Sequence, residues 1–183
     1  MKKRLFITII TFIFSYTMQS QITKGNWMVG GSGSYTHISV DNDNGTGYKN
    51  SRLTIKPNIG YFIKDKFVVG SSLGYYRDKS IDFDSYNKNY SIGLFTRYYF
   101  LKPDKIFNLF TQIHYDRIFF ETKSSNLVKG NGNKYGLKVG QVIFFNSSIG
   151  LEFSVDYEKE IYKLNTTDNI NVSVGFQIHL ENK

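Results

Sequence analysis

The sequence predicts an all-β chain, folded as an eight-stranded antiparallel up-and-down transmembrane β-barrel. Three observations carry this expectation. Segments of about ten residues alternate apolar and polar positions. The connections between them alternate long and short. Aromatic residues gather at both ends of the apolar parity. The last segment, "NINVSVGFQIHL", alternates without a miss: Ile170, Val172, Val174, Phe176, Ile178 and Leu180 share one face, and Asn171, Ser173, Gly175, Gln177 and His179 the other.

Strands are expected at 26–38, 51–63, 67–77, 88–101, 105–119, 133–144, 147–158 and 168–180. Between them "VDNDNGTGYKN", "DKSIDFDSYN", "ETKSSNLVKGNG" and "KEIYKLNTT" are long and polar, whereas "KDK", "KPD" and "FN" are short. A meander with every short turn at one end is an up-and-down sheet. An even strand number puts both termini at the short-turn end. The long connections are expected to be loops without strand of their own.

The chain begins "MKKRLFITIITFIFSYTMQSQ", with Lys2, Lys3 and Arg4 before an apolar run from Leu5 to Phe14 and a polar stretch to Ser20. That is the pattern of a secretory signal peptide, residues 1–20, leaving a barrel domain at 21–183. The run is short for a transmembrane helix, which needs ~20 apolar residues. Removal of the three basic residues takes the formal charge from +8 to +5. The chain has no Cys, which excludes disulfides and thiolate metal sites.

Which face meets lipid is decided by the two parities. Over 53–63, 67–75, 90–100, 107–115, 135–143, 149–157 and 170–180 the apolar parity carries no Asp, Glu, Lys or Arg. The other parity carries Gly60, Gly70, Gly74, Gly93, Gly136, Gly140, Gly150 and Gly175. Glycine weakens a strand on a solvated surface, but it makes room inside a narrow barrel. On the apolar parity, Tyr35, Tyr75, Tyr90, Tyr115, Tyr135 and Tyr157 sit at the long-loop end. Trp27, Tyr61, Tyr98, Phe67, Phe100 and Phe107 sit at the short-turn end. Two aromatic girdles around an aliphatic band are a membrane-barrel pattern. The apolar face is therefore expected outside, against lipid.

Four stretches carry a resemblance: "QSQ" at the signal end, "GNWMVGGSGSYT", "KPNIGYFIKDKFVVGSSLGYY" and "NVSVGFQIHL". With them the chain resembles the small outer-membrane β-barrel family of OmpA/OmpX type, in the porin-like superfamily, in the short form common among Bacteroidetes. The resemblance implies export through the periplasm, insertion by the barrel-assembly machinery and a monomeric protein in the cell outer membrane. It supplies no catalytic residues and no cofactor. Such barrels often end on an aromatic residue; this chain ends "IHLENK", which leaves Phe176 with Leu180 as the expected insertion signal.

The inward parity brings candidate chemistry. Lys56, Arg97 and Lys138 face Glu152 and Asp156, with Gln112, His114 and Asp116 nearby, and Arg52, Lys134 and Glu158 closer to the loops. Buried charges must pair, so a plugged lumen is expected, with Glu152 bound to Arg97 or Lys138. His114 and Asp116 share a face, as a proton relay would require, but no nucleophile–base group assembles and an enzyme is not expected. Three scattered His residues make no zinc site. "DNDNG" at Asp41–Gly45 departs from a calcium loop, with Gly fifth and Arg52 twelfth, and "KGNGN" at Lys129–Asn133 reads as a flexible loop tip.

The residual positive charge could meet acidic outer-leaflet glycolipid or nucleic acid. The loops mix both signs, so membrane lipid and glycolipid are the expected partners and nucleic acid is not. The leading expectation is a non-enzymatic envelope or surface protein with four external loops. The alternatives are a small ion or solute channel, and a soluble lipocalin-like binding barrel.

Overall fold

Period-two alternation draws eight strands from the chain: β1 (Trp27–Val40), β2 (Tyr48–Lys64), β3 (Phe67–Ser80), β4 (Tyr86–Tyr99), β5 (Phe107–Lys123), β6 (Leu127–Phe144), β7 (Ile149–Tyr162) and β8 (Thr166–Leu180). Each pairs antiparallel with its sequence neighbour, and β1 pairs with β8 to form a closed barrel. The computed structural model describes residues 22–40, 48–81, 83, 85–103, 105–124 and 126–181. The expected signal peptide, the Asp41–Gly45 turn, Asp82 and Asp84 lie outside the described residues.

The barrel is apolar outside. Leu94 is 66 % exposed while its neighbour Phe95 is 3 % exposed; Val172 is 80 % exposed while Gln177, on the opposite parity of its strand, is 1 % exposed. The aromatic residues form the two expected rings on this outer face. Tyr75 and Tyr90 meet across β3–β4 with ring centroids 5.3 Å apart, and Tyr115 and Tyr135 across β5–β6 at 5.2 Å. At the short-turn end Trp27 meets Tyr61 at 5.0 Å, and Tyr98 meets Phe100 at 5.3 Å. Tyr90 and Tyr98 bound the aliphatic band on β4. Eight residue steps at a tilt of ~40° give it a height of about 20 Å, close to the band of an outer-membrane barrel.

The strands run further outward than their apolar patterning suggests. Every strand exceeds its expected outer boundary, by two to six residues. The stretch "ETKSSNLVKGNG" is mostly strand: Glu121 pairs with Lys129, Thr122 with Val128 and Lys123 with Leu127. The expectation of loops without strand is thus corrected, since β5 and β6 form a hairpin that protrudes well past Tyr115 and Tyr135. "KGNGN" is not a flexible tip. Gly130 lies against the Phe120 ring and Gly132 against Tyr162, where a Cβ would collide, and Phe120 meets Tyr162 edge-on at 5.4 Å.

One seam is shorter than the rest. β1 and β8 pair from Trp27↔Leu180 to Ser32↔Gly175. Above that point β1 keeps its pairing with β2 and β8 its pairing with β7. Ser34 and Thr36, on the inward parity of β1, are exposed there.

Candidate functional site in the barrel lumen

The inner face changes character along the axis, beginning with an apolar base at the short-turn end. Met28, Phe62, Val68, Tyr99, Phe110, Val142 and Phe144 all point inward and are buried. Phe62 stacks on Tyr99 at 6.1 Å, and His179 sits edge-on between Phe62 at 5.4 Å and Phe144 at 5.3 Å. The segment after the expected signal peptide closes the base from below. Ile22 is buried in the same cluster; Lys66 N donates to Ile22 O at 3.0 Å, Gly25 N to Phe62 O at 2.9 Å, and Lys24 N to Asp65 Oδ1 at 2.8 Å. The sequence reading missed this base. Its signal is the loss of alternation beside the short turns, in "FVV", "YYF", "NLF" and "IFF", where both parities are apolar.

Above the base lies an ion pair. Arg97 Nη1 is 2.8 Å from Glu152 Oε2, and Arg97 Nε donates to Gln112 Oε1 at 2.8 Å. The Arg97 guanidinium lies over the Phe110 ring, 4.0 Å from its centroid. Tyr99 OH donates to Gln177 Oε1 at 2.8 Å, and Gln177 Nε2 donates to Glu152 Oε2. The pair is therefore fully hydrogen-bonded, the condition under which a buried charge pair persists.

A second charged layer follows. His114 Nδ1 lies 2.9 Å from Asp116 Oδ2, and Nε2 lies 3.0 Å from Asp156 Oδ1. With both aspartates ionised, each ring nitrogen must donate, so the arrangement suits the imidazolium form. Ser72 donates to Asp116 at 3.2 Å. Lys138 reaches Asp156 at 3.6 Å, Lys134 reaches Glu158 at 3.2 Å, and Lys56 reaches Glu158 at 3.1 Å. Asn171 donates to the second oxygen of Glu158 at 2.9 Å. Gly136 admits the His114 ring, which a Cβ would strike.

The candidate residues thus fall into two groups. Arg97, Glu152 and Gln112 meet in the lower layer, and Lys56, Lys138, Asp156 and His114 in the upper one. Of the two partners expected for Glu152, the structure supplies Arg97, while Lys138 goes to Asp156. Lys134 and Glu158, closer to the loops, are buried members of the upper layer. Tyr99, Gln177, Ser72 and Asn171 complete the networks without having been singled out by charge.

Between the layers is a void of about 50 Å³, large enough for a few waters. The lumen then widens outward into a vestibule of about 580 Å³, lined by Ser34, Thr36, Arg52, Tyr76, Asn89 and Asn169 among others. Arg52 binds Asp78 at 2.8 Å on its wall. His114, Asp156 and Glu158 bring donor atoms within 4.8 Å of one another. Lys56, Lys134 and Lys138 already contact those carboxylates, so ammonium groups supply the positive charge a metal would bring.

The fold and sequence have clear relatives. Residues 6–178 match the model of the outer membrane protein beta-barrel domain. The chain is similar to Neisserial surface protein A (16 % identity, 85 % of this chain and 97 % of that one, TM-score 0.56). It is similar to the N-terminal β-barrel domain of Pseudomonas aeruginosa OprF (13 %, 86 % and 98 %, TM-score 0.59). It is also similar to the Pseudomonas aeruginosa outer membrane protein OprG (14 %, 87 % and 98 %, TM-score 0.56). No curated protein matches the chain. A soluble lipocalin-like barrel, with its apolar face inside, is not supported, because the aliphatic band lies outside. With a lipid-facing band, two aromatic girdles and a family match over most of its length, the chain is an outer-membrane protein and belongs to the outer membrane protein β-barrel family.

Proposed function

We propose that this protein is a non-enzymatic outer-membrane anchor, sealed through its lumen, which presents a strand-built outer end to the cell exterior. The observation that carries the reading is the base. Seven apolar side chains, capped by Ile22, fill the cross-section at the short-turn end beneath the Arg97–Glu152 pair. A continuous water path would have to pass both, and eight strands leave little width beyond what side chains fill. The absence of catalysis is supported by the engagement of the titratable groups. Both nitrogens of His114 face carboxylates, and the lysines are held by Asp156 and Glu158. No free nucleophile stands beside a base there. The protruding β5–β6 hairpin gives the exterior a strand-built surface.

The polar vestibule favours a second reading, a narrow channel in which the charged layers exchange partners. Ion flux across vesicles reconstituted with the folded protein separates the two. A sealed anchor leaves an imposed ion gradient standing, whereas a channel collapses it.

A further inference from the structure

Above the outer tyrosine ring, β3 and β4 carry positive charge toward the membrane. Tyr75 pairs with Tyr90, and the next outward positions pair Arg77 directly with Lys88. Two residues on, Lys79 follows on the same face of β3 and is exposed. Like charges placed directly opposite on adjacent strands repel. Their neutralisation within the protein is small. Among the described residues, the acid nearest Lys88 is Glu121 at 3.9 Å. Glu121 is held more closely by Lys129 at 3.0 Å and accepts from Tyr86 OH at 2.6 Å. Asp78 lies on the inner face with Arg52. Arg77 Nε is buried without a hydrogen-bond partner. Among the described residues, Arg77 thus keeps an unsatisfied guanidinium donor and no acid partner, while Lys88 has a Glu121 contact shared with Lys129 and lies 4.2 Å from the Tyr86 ring centroid.

Depth decides what can reach them. Two residues of tilted strand place this pair about 5 Å beyond the tyrosine ring. Tyr and Trp rings mark head-group level, so the cations face the zone of lipid head groups in the outer leaflet. Guanidinium and ammonium groups there select phosphate, which the planar fork of Arg binds through two oxygens. We propose that Arg77, Lys88 and Lys79 form a binding site for the phosphorylated head group of an outer-leaflet lipid, seated against the Tyr75–Tyr90 pair. The proposal rests on the outer-membrane placement with short turns toward the periplasm. It does not depend on whether the lumen conducts.

The test uses the folded full-length barrel in neutral detergent, titrated with purified bis-phosphorylated lipid A, the same lipid after dephosphorylation, or inorganic phosphate. Bound lipid is counted by native mass spectrometry and thermal stability is read in parallel. The wild type should retain the phosphorylated lipid and gain stability from it. R77Q/K88Q should bind it about tenfold more weakly. Without lipid, that variant should melt no lower than the wild type, because a like-charge pair has been removed. The charge-matched K102Q/K105Q variant, at the opposite end, should bind as the wild type does. Equal retention by R77Q/K88Q overturns the site. Equal binding of the dephosphorylated lipid overturns the phosphate chemistry. Stabilisation by millimolar inorganic phosphate alone, equal to that by lipid, overturns the lipid as its source. Loss of lipid binding in a barrel that still holds an ion gradient leaves the anchor reading in place.

Discussion

Glu152 shows what a single residue's parity and height can and cannot tell. Its inward direction follows from alternation, and its depth follows from its distance to the short turn. Both are legible in the sequence because strand geometry is regular. The angle across the lumen is not. It depends on the stagger of strands around the barrel, which sets Lys138 directly opposite Asp156 and leaves Glu152 opposite Val142. Arg97, from β4, crosses the lumen to Glu152 instead. Glu152→Gln should therefore cost about 3–5 kcal/mol of unfolding free energy, since it strands a buried guanidinium. Adding Arg97→Met should recover part of the loss, whereas Glu152→Gln with Lys138→Met should be close to additive. Urea unfolding in vesicles of the wild type, the three single variants and the two double variants reads both cycles. Coupling of Glu152 to Lys138 equal to its coupling to Arg97 would contradict this arrangement.

At the scale of strands, the apolar alternation marks only the part of each strand that meets lipid. The outer extensions mix polar and apolar residues on both faces, as Leu127 beside Val128 shows, so without alternation they resemble loops in sequence. Their pairing rests on cross-strand contacts such as Arg117 Nη1 with Asn133 at 2.7 Å, and Phe120 with Tyr162. Separately, the β1–β8 seam follows from no local pattern, because it joins the two ends of the chain. Its pairing ends at Ser32↔Gly175, below Tyr35. Backbone groups without strand partners open more readily to solvent. Amide exchange should be faster at the β8-facing amides between Gly33 and Ser39 than between Trp27 and Ser32. Exchange measured by NMR in micelles that is uniformly slow along β1 would mean the seam zips fully.

For the whole molecule, the orientation of the two faces governs everything else, and it was readable from glycine and tyrosine placement. Leu94 lies midway between Tyr90 and Tyr98 and faces outward. Leu94→Arg should destabilise the inserted barrel by about 2–4 kcal/mol, and Ser173→Thr, on the inner face, should be mild by comparison. Folding titrations into vesicles compare them, and an arginine variant as stable as the wild type would invert the face assignment. The closed base was less legible, because apolar residues on both parities beside short turns also fit ordinary strand ends. It is nonetheless what separates an anchor from a pore. The most direct measurement is the single-channel current of the wild-type protein in a planar bilayer. A lumen closed by Phe62, Tyr99, Phe110 and the Arg97–Glu152 pair predicts a membrane that stays electrically silent after insertion. Stable, well-resolved unitary steps from the folded wild type would contradict it.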